Sequence, residues 1–101
     1  MVAALPRNGD LADRFDQLAD LSEILGEQPF RIGAYRRAAI RIRDTGSSVA
    51  ELAVAGKAKE LPDIGKTIEA KIVEVVKTGD MEALAKRRAE VPAEVASFMR
   101  L

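Results

Sequence analysis

Apolar residues in this chain return every three or four positions, and glycine or proline cuts each run short. That period puts them on one face of a helix, whereas a half-buried strand needs strict alternation, which no segment supplies. Leu11, Phe15, Leu18, Leu21 and Leu25 form the first stripe; Asn8 or Asp10 can cap it and Gly26 ends it. Pro29 stands where a proline opens a helix, and Ile32, Tyr35, Ala39 and Ile42 follow until Asp44-Thr45-Gly46 stops them. Ser48-Val49-Ala50-Glu51 reads as a capping box for a short helix running to Gly56, with Leu52 facing inward. Ile68, Ile72, Val75 and Val76 share the next face, which Thr78-Gly79 closes. Asp80 is placed to cap a further helix carrying Met81, Leu84 and Ala85, and Val91-Pro92 breaks it before a last apolar piece at residues 95–101.

The predicted fold class is therefore all-α: a small antiparallel helical bundle of four main helices with short accessories. Its expected core includes Phe15, Leu18, Tyr35, Leu52, Ile64, Ile68, Ile72 and Leu84. A chain of 101 residues is one domain, with residues 1–7 expected to be a flexible N-terminus and residues 8–101 the folded, monomeric unit. Hydrophobic residues at 48% and charged residues at 32% fit a globular helical protein better than a disordered tail. No run approaches the roughly 20 apolar residues of a membrane span, so a cytoplasmic place, nucleoid-associated and of bacterial type, is expected.

Cysteine and histidine are both absent, which excludes disulfides, the usual zinc sites, thiol nucleophiles and imidazole acid/base catalysis. Any chemistry must use lysine, tyrosine or carboxylates. Basic and acidic residues balance at 16 each, so a simple basic-protein case for nucleic acid does not arise. Their distribution is uneven. Residues 8–28 hold six acids against Arg14 alone, a balance of −5, while residues 29–79 carry ten bases against six acids, a balance of +4. One face is then expected to meet a polyanion while the other repels it.

Leu61-Pro62-Asp63-Ile64-Gly65 is too tight for a strand and joins two helical patterns. The backbone amides of such a turn, lying at a helix N-terminus, can hold a phosphate whatever the base sequence. Pro62 stiffens its entry and Gly65 permits close approach. Pro and Gly also punctuate ordinary helix corners, so the context of the turn matters.

That context is Pro29-Phe30-Arg31-Ile32-x-Ala34-Tyr35-Arg36-Arg37-Ala38-Ala39, a capped short helix, then Lys59-Glu60-Leu61-Pro62-Asp63-Ile64-Gly65-Lys66-Thr67-Ile68-x-x-Lys71-Ile72 and Thr78-Gly79. Over roughly residues 8–101 it resembles the N-terminal helix-hairpin-helix domain of X-family DNA polymerases, the PolX group. The resemblance implies binding of gapped or 5′-phosphorylated DNA as part of a larger repair polymerase, in base excision repair, and in several members a 5′-deoxyribose-phosphate lyase. Arg31 and Tyr35 match family 5′-phosphate contacts; Lys59, Asp63, Gly65, Lys66 and Thr67 fall in the phosphate-binding region. Lys71 matches the Schiff-base lysine. The backbone carbonyls of Lys59, Leu61 and Ile64 make a candidate site for Na+ or K+, and lyase chemistry itself requires no cofactor. The chain has no room for a polymerase palm. It departs from the family pattern at Asp63, where glycine is usual, and at Thr67, where lyase members carry a basic residue.

Read from helical geometry, Thr67, Lys71, Glu74 and Thr78 form a polar stripe beside Ile68, Ile72 and Val75. A partly desolvated lysine flanked by cations loses its proton more readily, and only the neutral amine attacks an aldehyde. Glu74, three residues away, works against that by favouring the charged form, and Lys71 could equally snorkel from the core edge with its ammonium near Glu74. The competing function is a non-catalytic helical protein-interaction domain, in which the acidic first helix and arginine-rich second helix serve a partner.

Overall fold

A computed structural model describes residues 5–91 of the chain. The order is α1 (Asn8–Ile24), α2 (Pro29–Asp44), α3 (Val49–Val54), a 3-10 turn (Ala58–Glu60), α4 (Lys66–Thr78) and α5 (Glu82–Glu90), with no strand among the described residues. The all-α reading therefore stands, and the apolar piece at 95–101 lies outside the described residues. None of these helices is long and apolar enough to cross a membrane.

Most boundaries fall where local chemistry puts them. Gly26, at φ +72°, ends the α1 register, and the Glu27 amide donates back to the Ser22 carbonyl at 3.0 Å. Pro29 opens α2, where its missing amide costs nothing. Gly79, at φ +88°, closes α4. Of the two residues expected to cap α1, Asp10 takes part, its carboxylate accepting from the Arg7 amide at 3.4 Å, while Asn8 and, at α5, Asp80 turn elsewhere. Asn8 does not cap its own helix: its Nδ2 donates to the carbonyls of Thr45 at 3.0 Å and Ser47 at 2.8 Å, and its Oδ1 accepts from the Val49 amide at 2.9 Å. Asn8 thus serves the start of α3, alongside Ser48 Oγ, which accepts from the Glu51 amide at 3.2 Å. Nor does Asp80 cap α5. The Glu74 carboxylate accepts from the Glu82 amide at 2.8 Å, and Asp80 turns instead toward Arg88 at 2.8 Å and Arg14 at 3.8 Å. Charge-assisted contacts to guanidinium groups are stronger than one to the Glu82 amide would be.

α1 and α2 run antiparallel, as their ion pairs record. Arg36 reaches Asp20 at 3.1 Å and Glu23 at 2.9 Å, while Arg43, further along α2, reaches Asp13 at 2.6 Å and Asp16 at 2.7 Å, further back along α1. This pairing corrects the expected separation of an acidic face from a basic one, because much of the α1 charge is spent on α2. Exposed pairs of this kind are worth about 0–1 kcal/mol each, so they fix register more than they stabilise.

Burial supplies the stability. Leu11, Phe15 and Leu18 of α1 meet Tyr35, Ala38, Ala39 and Ile42 of α2, and the Phe15 and Tyr35 rings lie 6.4 Å apart. Ala38 and Ala39 are small enough to let the two backbones approach. Ile64, Ile68 and Ile72 carry the hairpin and α4 into the same core, and Leu84 brings in α5. Leu52 is the exception to the expected core. It is only half-buried, because α3 turns Val49, Ala50 and Ala53 inward and leaves Leu52 at the margin.

Candidate nucleic-acid interface

The hairpin is anchored by apolar residues and exposes what lies between them. Ala58 and Ile64 are buried and Leu61 is half-buried, while Pro62, Asp63 and Gly65 face solvent. Leu61 is extended, as a residue before proline must be. The turn closes where the Ile64 amide donates to the Leu61 carbonyl at 3.2 Å. Pro62 is second in that turn and Asp63, third, takes a positive φ of +67°, as in a type II turn. Glycine would do so without a Cβ penalty; aspartate is among the few other residues that tolerate it.

α4 then starts from Gly65, whose carbonyl accepts from the Glu69 amide at 2.9 Å. No side chain caps this end, so the amides of Gly65, Lys66, Thr67 and Ile68 are the four donors a helix start leaves without a partner inside the helix. Gly65, Lys66 and Thr67 are exposed, and a Cβ placed on Gly65 would meet nothing within 4 Å. The Glu69 carboxylate braces this end by accepting from the Lys59 amide at 2.8 Å, which ties the 3-10 turn to α4.

Arg37 and Arg41 of α2 also reach the hairpin. Arg37 Nε lies 3.9 Å from Asp63 Oδ1, and Arg41 Nη2 lies 3.6 Å from Oδ2. Sequence reasoning missed both residues; their spacing of four on an arginine-rich helix was the signal, but the helix carries five arginines and spacing does not say which face the hairpin.

The residues expected at the site divide into groups. Lys59, Asp63, Gly65, Lys66 and Thr67 cluster at the hairpin and the start of α4. Of the three carbonyls considered for a monovalent cation, that of Leu61 already accepts from the Ile64 amide, while those of Lys59 and Ile64 accept no backbone hydrogen bond among the described residues. A carbonyl oxygen has two lone pairs, so all three retain donor capacity for Na+ or K+.

Arg31 and Tyr35 stand one turn apart on α2 but differ in exposure. Tyr35 is 6% exposed and packs against Phe15. Arg31 is exposed, 3.5 Å from Glu27, in a cleft of about 290 Å³ lined by Glu27, Arg31, Lys86, Arg87 and Glu90. Arg87 grips Glu27 with both arms of its guanidinium, Nε to Oε2 at 2.8 Å and Nη2 to Oε1 at 2.7 Å. Those hydrogen bonds hold the Glu27 carboxyl below its ordinary value; burial opposes them, and the charges of Arg87 and Arg31 add to them. Lys71 is half-buried in the second turn of α4 beside the buried Ile68, Ile72 and Val75, and it is not among the residues lining the Arg31 cleft. Glu74 is occupied with the Glu82 amide, and no ion pair joins it to Lys71 among the described residues.

Comparison with curated proteins gives no match to this chain. A family model described as a helix-hairpin-helix domain does match, over residues 6–81, which run from just before α1 to the residue before α5 and include the whole hairpin. The chain belongs to the helix-hairpin-helix domain family.

Proposed function

We propose that this domain binds the DNA backbone without regard to base sequence, with one phosphate taken by the amides at the start of α4. The observation that carries this reading is the uncapped, solvent-facing end of α4 behind the Pro62–Gly65 turn, in a chain of the helix-hairpin-helix family. Helix N-termini favour anions through aimed amides and the positive end of the dipole. Lys59, Lys66 and Thr67 add a local cationic and hydrogen-bonding rim. Na+ or K+ held by the carbonyls of Lys59, Leu61 and Ile64 would add one more positive charge beside that phosphate.

The finer reading is an N-terminal domain of an X-family repair polymerase that engages a gap at its 5′-phosphate, with Arg31 as the forked contact and Tyr35 setting α2 behind it. In that role Lys71 is the lyase nucleophile. Its neutral Nζ attacks C1′ of an opened abasic sugar and water leaves to give an iminium. The iminium acidifies the C2′ proton, and β-elimination expels the 3′ phosphate. Support for Lys71 is its place at the edge of the core and the engagement of Glu74 elsewhere.

Titration on gapped duplexes of two unrelated sequences, with 5′-phosphate or 5′-hydroxyl ends, tests the binding. Affinity is expected to ignore sequence, to fall linearly on a log-log plot against salt, and to lose its preference for the phosphate in Arg31→Ala. Borohydride trapping on a 5′-incised abasic duplex tests the chemistry. Lys71→Ala should abolish the adduct while leaving affinity nearly unchanged. DNA binding without any adduct leaves a binding module, and no DNA binding at all transfers the chain to the protein-interaction class.

A further inference from the structure

Arg37 and Arg41 lie one helical turn apart on α2, and both point their guanidinium groups at the same hairpin carboxylate. At 3.9 and 3.6 Å these are charge contacts rather than hydrogen bonds, and the three side chains keep 36–54% of their surface in solvent. Arg41 Nε is buried without a hydrogen-bond partner, so Asp63 leaves that donor unused. Arg37 lies back over Gly33, where a Cβ would come within 3.0 Å of its Nη1, so the missing side chain at Gly33 gives the guanidinium its place. Asp63 itself is exposed and stands in the hairpin between Pro62 and the residues that open α4.

We infer that Arg37 and Arg41 are a second phosphate-binding pair next to the hairpin and that Asp63 is a built-in anion which occupies them until a DNA phosphate displaces it. This rests on the backbone-binding reading above and names how that site is regulated. Two long, exposed ion pairs are weak enough to be exchanged for a phosphate, to which a guanidinium can fork at closer range. The carboxylate lowers affinity twice over, by repelling the incoming phosphate and by holding the two cations that would otherwise meet it.

Asp63→Asn tests this with little disturbance, since asparagine matches aspartate in size and tolerates positive φ at least as well. On a duplex titrated at several salt concentrations, Asp63→Asn should bind about two- to thirtyfold tighter, the range set by losing two exposed ion pairs. Its log affinity should fall with log salt at about the same slope, because the same phosphates are neutralised once Asp63 has been displaced. The double variant Arg37→Gln, Arg41→Gln should cost more affinity in the Asp63→Asn background than in the unmodified chain. Equal or weaker binding by Asp63→Asn, or an arginine effect of the same size in both backgrounds, overturns the inference. If the unmodified chain binds DNA and these variants leave it unaffected, this inference alone fails; if the unmodified chain binds no DNA, the underlying reading fails with it.

Discussion

A carboxamide that ties three backbone groups across a corner holds more of a fold than one that caps its own helix. Asn8 makes three hydrogen bonds, each to a group 37 to 41 residues away, and so fixes the start of α1 against the α2–α3 turn. Removing it leaves the Val49 amide and two carbonyls to find water. Asn8→Ala should therefore destabilise the domain by about 1–3 kcal/mol, read as a lower midpoint in urea unfolding. A loss under about 0.5 kcal/mol would show that the corner holds without it. From sequence alone Asn8 was legible as a capping residue but not as the cap of a helix forty residues on, because only tertiary packing brings α3 to it. Glu74 of α4 takes the contact expected of Asp80 for a similar reason: the arginines that draw Asp80 away come from α1 and the far end of α5.

Between elements, Glu27 joins three of them. It stands in the α1–α2 connection and is clasped by Arg87 of α5, with Arg31 of α2 close by. Its folded-state value is depressed below the ordinary 4.5, so the stability it contributes is fully present above that value and is lost as pH falls through the lower, folded one. Asp80 behaves in the same direction: burial would raise it, but the Met81 amide, Arg88 and Arg14 together lower it below 3.8. Glu27→Gln should cost about 1–2 kcal/mol at neutral pH, as expected for a two-armed charged pair that is mostly shielded from solvent. The difference from the unmodified protein should shrink as pH is lowered below 4.5, measured by thermal or urea unfolding. A difference that persists undiminished into acid would place the role of Glu27 in packing instead. The helices themselves were legible because the 3.6-residue period and the stops at Gly26, Pro29 and Gly79 agree with one another. The Glu27–Arg87 clasp was not, since it spans 60 residues and nothing local marks it.

Across the whole molecule the zero net charge conceals a division of labour. α1 acids neutralise Arg36 and Arg43, Glu27 faces Arg31 and Arg87, and the exposed cations left at the hairpin are Lys59 and Lys66, with Arg37 and Arg41 held only loosely. The hairpin was readable in the sequence because Leu61-Pro62 and Ile64-Gly65 combine core anchors with turn residues at fixed offsets. The flanking arginines were not, because five of them share one helix. The central claim, that the open end of α4 receives a DNA phosphate, is tested most directly at Gly65. Its φ of −90° is available to any residue and a Cβ there meets open space, so Gly65→Val should fold with a loss below about 1 kcal/mol. The branched side chain would stand where the phosphate must come. Titration of both forms against the same gapped duplex should show affinity falling about tenfold or more, the equivalent of roughly 1.4 kcal/mol, while unfolding midpoints stay close. Equal affinity for DNA in the two forms would contradict the account and move the binding surface away from the hairpin.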